Sequence, residues 1–344
     1  MVIFYVIIVI LVLFGIKKRR TEEELPSYLS KDSTNAIKGF FILVVFMRHV
    51  VPYVEKAGYE MPNILDKWYG FIDWNIGQLL VVMFLFYSGY GVMTSIGKKG
   101  NEYIYDIPKK RVLNTFLNFD IAVALFLVMD FALGIKVETE QYFLARLGWD
   151  SVGNSNWYIF IILLCYLLTY FCFRMSRKGG AFLLIVMTIA VIAILYFVKQ
   201  PHWYNTILSY PAGILYAQYK DRIEKVIRWR YWWTLLTLGF LFFVIHYVNL
   251  HLYTLVYAYL YNVECIVFAF LVVTLTMKVK IGNAVLRWLG ANLFPLYIYQ
   301  RMPMIMIREL AGREWLATNP YLFVLISMAG TLLISYFYKY WSLK

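Results

Sequence analysis

The sequence predicts an all-α fold, a polytopic integral membrane bundle of about eleven transmembrane helices. Three observations carry this. Hydrophobic residues make up 62% of the 344 and charged residues only 15%, more apolar surface than one soluble core can hide. Mean hydropathy is +0.63. The apolar residues also fall into runs close to the roughly 20 that a helix needs to cross a bilayer. The basic residues sit in short clusters between those runs, so the net charge of +13 reads as membrane topology and not as a nucleic-acid surface. Disorder is excluded by the same composition. Cys165, Cys172 and Cys265 lie inside apolar stretches, so no disulfide framework is expected, and no metal.

The expected spans are Val2–Ile16, Ile37–Val54, Trp74–Ile96, Val112–Gly134, Asn156–Phe173, Ala181–Val198, Thr206–Tyr219, Tyr231–Val248, Tyr253–Met277, Asn292–Ile307 and Tyr321–Tyr338. The first and seventh are short. Val2–Ile16 resembles a signal peptide in length, but its charges (Lys17, Lys18, Arg19, Arg20) follow it and no A-x-A site closes it. It is therefore expected to stay as an anchor. Trp74, Trp157, Trp229, Trp232, Trp233, Trp288 and Trp341 fall at or near span ends, as an interfacial aromatic belt requires.

Orientation follows from the basic clusters. Placing Lys17–Arg20 inside puts 24 Lys and Arg against 8 Asp and Glu on that side; the opposite loops hold 7 against 9. The N-terminus is then outside, the C-terminus cytoplasmic, and the chain multi-pass in the cell membrane.

Five ionisable residues remain well inside spans: Arg48, Asp120, Asp130, Glu264 and Arg301. Burying each is costly unless it is paired or wet, so a functional role is the default reading. His49 joins them as a group that titrates near neutral pH. At helical rise His49 lies about 7–8 Å from its outer span end, Asp130 about 6 Å, and Gln300 and Arg301 about 10 Å, so one outer layer could hold them all with Arg48. Glu264 falls deeper, at about 16 Å. Arg48 is near enough to the surface to snorkel instead.

The fourth span opens with Arg111, Asn114, Thr115 and Asn118. Their spacing places them on one helical face next to Lys109 and Lys110. Two readings stand for this stripe: a grip on the phosphates of a cytoplasmic ligand, or an interfacial anchor. Lys38 and His49 stand eleven residues apart on one span, about 16 Å along one face. A ligand threading a narrow channel would meet both.

These residues also carry a likeness. Lys38, ten residues, then His49 resembles the Arg/Lys-x10-His signature of membrane-bound acyltransferase family 3, and Ile37–His49 is similar to that family's first core helix. Met83-Phe-Leu-Phe-Tyr-Ser88-Gly89-Tyr90, Lys109-Lys110-Arg111, Asn156-Trp157-Tyr158 and Leu289-Gly290…Pro295-Leu-Tyr297-Ile-Tyr299 resemble its later motifs, in order. Asn114 stands where the family usually has a second arginine, and Gln300 where it has a late histidine. The likeness divides the chain into an N-terminal anchor helix and cytoplasmic linker, 1–32, and a membrane acyltransferase domain, 33–344.

The resemblance implies O-acyl transfer from cytoplasmic acyl-CoA, commonly acetyl-CoA, to a hydroxyl of a cell-surface glycan or its lipid-linked precursor. Lys38, Lys110, Arg111, Asn114 and Asn118 would then bind the donor. His49 would act as general base or carry the acyl group. Arg48, Arg301 and Glu264 would assist, the arginines at a developing oxyanion. Ser88 has no legible His-Asp partner and reads as a helix-packing residue. The rival reading is a proton-coupled secondary transporter or flippase using His49, Asp130 and Glu264 as a relay. It expects inverted repeats, and none is visible. Oligomeric state is not legible.

Overall fold

The computed structural model describes residues 1–18, 27–60, 64–252 and 254–343. Arg19, Arg20, Glu22, Glu23, Glu24, Tyr253 and Lys344, used above, lie outside the described residues. In chain order the helices are α1 (Val2–Leu13), α2 (Lys31–Ala57), α3 (Ile64–Ile76), α4 (Leu79–Lys99), α5 (Asn101–Ile107), α6 (Asn114–Ala132), α7 (Thr139–Arg146), α8 (Trp157–Met175), α9 (Gly180–Val198), α10 (Ser209–Gln218), α11 (Lys220–Trp229), α12 (Tyr231–Asn249), α13 (Leu255–Lys278), α14 (Ala284–Ala291), α15 (Leu293–Tyr299), α16 (Arg301–Thr318) and α17 (Pro320–Phe337). Among the described residues, eight helices are long and apolar enough to cross a membrane. The protein is a predominantly helical, multi-pass membrane protein.

Several elements differ from the expected eleven spans, each for a physical reason. α1 has 12 residues, about 18 Å and too short to span alone. The chain turns after it so that Lys17–Lys18 pairs antiparallel with Val279–Lys280, in register Lys17↔Lys280. The third span does not begin at Trp74. That residue belongs to α3, and Gly77 at φ +48° starts a new helix beyond it. The fourth span lengthens to Asn101–Ala132 through a π-helical turn, Pro108–Leu113. The seventh shortens to the ten residues of α10.

The tenth expected span, Asn292–Ile307, is α15 and the start of α16, interrupted at Gln300; α14 precedes it across a break at Asn292. Pro295 and Pro303 cannot donate to the carbonyls of Ala291 and Tyr299, which removes the bonds that would bridge both breaks.

Two glycine-mediated crossings lock the interior. A Cβ on Gly89 of α4 would lie 2.1 Å from the Tyr210 carbonyl oxygen, and one on Gly213 of α10 2.0 Å from that of Phe86. Likewise a Cβ on Gly39 of α2 would meet the Leu286 oxygen at 1.9 Å, and one on Gly290 of α14 the Asn35 oxygen at 1.8 Å. Such close backbone approach is how membrane helices gain packing energy where lipid removes the hydrophobic drive. The Ser88-Gly89-Tyr90 segment thus serves packing. Outward faces carry bare apolar and aromatic side chains: Trp74, Trp229, Trp232 and Trp233 are exposed.

α2 is the central element. Ser30 caps it by accepting from the Ser33 amide, with Asp32 in the first turn to suit the helix dipole. Gly58, at φ +104°, ends it in a left-handed cap. The chain's first residue sits at the Ala57 end of the bundle: the Met1 ammonium forms a buried ion pair with Asp66 of α3 at 2.5 Å.

Candidate active site

His49 lies one turn before Pro52 on α2. Pro52 has no amide hydrogen, so the Arg48 carbonyl lacks its usual partner and the helix wall is weakened beside the imidazole. The ring stands edge-on to Tyr297 of α15, with centroids 6.3 Å apart. His49 Nδ1 is buried without a hydrogen-bond partner, and so are the Tyr297 hydroxyl and Gln300 Oε1. Buried polar groups are normally satisfied, and with the Gln300 side chain in hydrogen-bonding reach of the imidazole these groups form one polar cluster at His49.

The structure brings Arg48, His49, Gln300 and Arg301 together. Both helices that flank this point, α15 and α16, pack against α2. Arg301 Nε donates to the Tyr53 hydroxyl at 3.3 Å. Arg48 is held by α3: one Nη1 donates to the Asp73 carboxylate at 2.5 Å and to its carbonyl at 2.6 Å. Asp73 was legible only as an outer-loop acid. Its role depends on α3, which the apolar run at Trp74 concealed.

Two cavities meet at His49. One, of about 360 Å³, is lined by Val45, Arg48, Gln78, Trp157, His202 and Tyr297. The other, of about 300 Å³, is lined by Tyr53, Lys56, Arg301, Arg308 and Arg313. Arg48, His49 and Pro52 form part of both walls. Asp130 is buried at a third, smaller cavity with Arg301 and Arg308.

Trp157, expected in the interfacial belt, instead faces the first cavity and packs against His202, 5.8 Å between centroids. His202 is a residue that no sequence signal singled out. Burial, and then the neighbouring Lys199 cation, hold its imidazole below the usual histidine range, so it is a neutral hydrogen-bonding group there.

Glu264 is not beside His49. Fully buried, its carboxylate accepts from Asn249 Nδ2 at 2.5 Å and contacts His246 Nδ1 at 2.7 Å, while His246 Nε2 meets Asn75 Oδ1 at 2.9 Å. Depth counting put Glu264 nearer the midplane, yet its partners lie at the ends of α12 and α3. His246, outside the residues first singled out, supplies the polar contact that lets the carboxylate stay buried. The group adjoins a fourth cavity that shares Arg48 and Gln78 with the first. Asp120 forms a two-point ion pair with Arg146, both contacts at 2.6 Å, and belongs to structure.

At the other end of α2, Lys38 is half-buried with no hydrogen bond or ion pair among the described residues. Arg111 Nε donates to the Tyr103 hydroxyl at 3.0 Å, and its guanidinium lies 6.0 Å from the Tyr166 ring. Lys110 pairs with Asp106 at 2.5 Å on the surface.

The stripe expected from Arg111 to Asn118 is interrupted. The π turn changes the angular step per residue, so Arg111 faces α8 while Asn118 clamps the chain end. Asn118 Nδ2 donates to the Leu343 carbonyl at 3.0 Å and its Oδ1 accepts from the Leu343 amide at 2.9 Å. The same Nδ2 reaches the Asn114 carbonyl at 2.8 Å.

Lys38 and His49 thus share one continuous helix, α2, while Arg111 stands on the π turn that opens α6. Residues 31–340 match the profile of family 3, described as an acyltransferase domain. The chain belongs to acyltransferase family 3. No curated protein and no solved structure gives a significant match. In this family 3 acyltransferase Gln300 carries an unpartnered Oε1 beside the His49 site. Asn114 takes part in the Asn118 clamp.

Proposed function

We propose that this acyltransferase moves an acyl group, acetyl in the simplest case, from acyl-CoA to a hydroxyl of a cell-surface or lipid-linked glycan. The observation that carries this reading is His49, with its unpartnered Nδ1, at the junction of two cavities, while Lys38 and Arg111 mark the opposite end. The acceptor oxygen attacks the thioester carbonyl as His49 takes its proton. Arg301 and the Tyr297 hydroxyl face the place where negative charge develops on the carbonyl oxygen. The tetrahedral adduct collapses, the C–S bond breaks, and the CoA thiolate recovers the proton from the imidazolium. Attack by His49 itself, giving an acyl-imidazole first, uses the same groups.

The anionic nucleotide stays with Lys38 and Arg111. Between the ends run Tyr158, packed 5.1 Å from Tyr297, and Tyr166, hydrogen-bonded to Ser88 at 2.8 Å. A pantetheine arm reaching His49 from that end would pass these two buried side chains. The transporter reading finds less support. Glu264 is bonded to His246 and Asn249 and is not linked to His49 or Asp130.

Purified protein given acetyl-CoA and a glycan acceptor should release CoA thiol in step with ester formation. Arg111→Ala should weaken CoA binding by at least about tenfold in calorimetry, the worth of one charge-assisted contact. A flippase would move glycan without consuming thioester, and unchanged affinity would move the donor site away from Arg111.

The orientation we propose is the Lys38–Arg111 end in the cytoplasm and the Met1–His49 end outside. Cysteines at Lys99 and Glu138 test it with a membrane-impermeant label on intact cells. Only Glu138→Cys should react; labelling of Lys99→Cys would invert the topology.

A further inference from the structure

We propose that the basic cavity beside His49 binds a phosphate or diphosphate group carried by the acceptor, which holds the acceptor hydroxyl at the imidazole. This rests on the reading of His49 given above. Five cations line the cavity, Arg48, Lys56, Arg301, Arg308 and Arg313, and no carboxylate does. Two of the five have acidic partners: Arg48 pairs with Asp73, and Arg308 with Glu309. Lys56, Arg301 and Arg313 form no ion pair among the described residues, and Arg301 has only the Tyr53 hydroxyl at 3.3 Å.

The chain takes specific steps to gather these charges. Arg301 and Arg308 are seven residues apart on α16 and so share a face. Gly312, at φ +79°, interrupts that helix, and Arg313 just beyond it lines the same wall. Like charges crowded around about 300 Å³ repel one another, and an anion reverses the sign of that interaction.

Guanidinium forks fit phosphate oxygens two at a time, and three cations without an ion pair suit a group of two or three negative charges. The CoA nucleotide is not the natural occupant, because its proposed anchor Lys38 lies about 16 Å back along α2. A glycan whose hydroxyl reaches His49 while a phosphate linkage rests among these cations meets both features of the cavity. A lipid-linked diphosphate supplies that chemistry, and so does a phospholipid headgroup.

Titration calorimetry with sodium pyrophosphate, on protein in phosphatidylcholine nanodiscs, tests the assignment. Wild type should bind, and Lys56→Gln/Arg313→Gln should bind at least about tenfold more weakly, the scale of a lost charge-assisted contact. Absence of binding, or equal affinity in the double variant, overturns the proposal. Nanodiscs containing phosphatidylglycerol separate the two sources. If that lipid suppresses pyrophosphate binding as strongly as the double variant does, the cavity is a headgroup site and the acceptor assignment falls. His49→Gln titrated in parallel should keep pyrophosphate affinity within a few-fold. Were it also to keep full acyl transfer, the catalytic reading would fail while the pyrophosphate result stood.

Discussion

His49→Gln should abolish acyl transfer and leave coenzyme A bound. Glutamine preserves bulk and a hydrogen-bonding amide but cannot accept a proton. General acid–base help is commonly worth 10²–10⁴-fold in rate, which corresponds to about 3–5 kcal/mol of barrier. The proposed nucleotide anchor, Lys38, lies about 16 Å away along α2, so CoA affinity measured by calorimetry should change less than about threefold. A packing role predicts the reverse pattern. The unpartnered Nδ1 makes no hydrogen bond whose loss would unfold the protein, and a merely structural His49 would let glutamine transfer acetyl at near the wild-type rate. Transfer by His49→Gln in reconstituted vesicles at that rate would remove His49 from the chemistry.

Much of this arrangement was legible in the residues, and the rest shows where sequence reasoning loses its grip. The long apolar runs of α2, α8, α9 and α13 declare themselves because each is one helix whose hydropathy needs no tertiary help. Depth counting along the expected spans allowed His49, Gln300 and Arg301 to share one outer layer, since helical rise is fixed. It could not say that they converge, because rotation about a helix and the choice of neighbour are tertiary facts.

Asp73 and His246 show the cost. One was hidden in a supposed loop and the other near a span end, yet they hold Arg48 and Glu264. The π turn at Pro108–Leu113 is a further case: α-helical spacing joined Arg111 to Asn118, and one wider turn parts them. The breaks at Asn292 and Gln300 each lie three residues before a proline, Pro295 and Pro303, but a proline alone does not distinguish a kink from a break.

Substitution of Gly290 should damage fold and catalysis together, while substitution of Gly91 should damage neither. A Cβ at Gly290 would sit 1.8 Å from the Asn35 backbone oxygen, and the reciprocal Cβ at Gly39 1.9 Å from that of Leu286. Backbone on both sides leaves nothing flexible to yield, so α14 must part from α2. α15 follows α14 after the break at Asn292, and that displacement carries Tyr297 away from His49. Overpacking in cores costs about 1–3 kcal/mol and occasionally more, and a backbone contact belongs at the upper end. Gly290→Ala should therefore lower the unfolding temperature by several degrees and reduce turnover more than CoA affinity; Gly290→Leu should not fold. In α4, Gly91 has open space around an added Cβ. Gly91→Ala should be neutral or stabilise by up to about 1 kcal/mol, because alanine is the better helix former. A Gly290→Ala protein that melts and turns over like wild type would show that α2 and α14 are not locked together, and that Tyr297 is positioned by something other than this crossing.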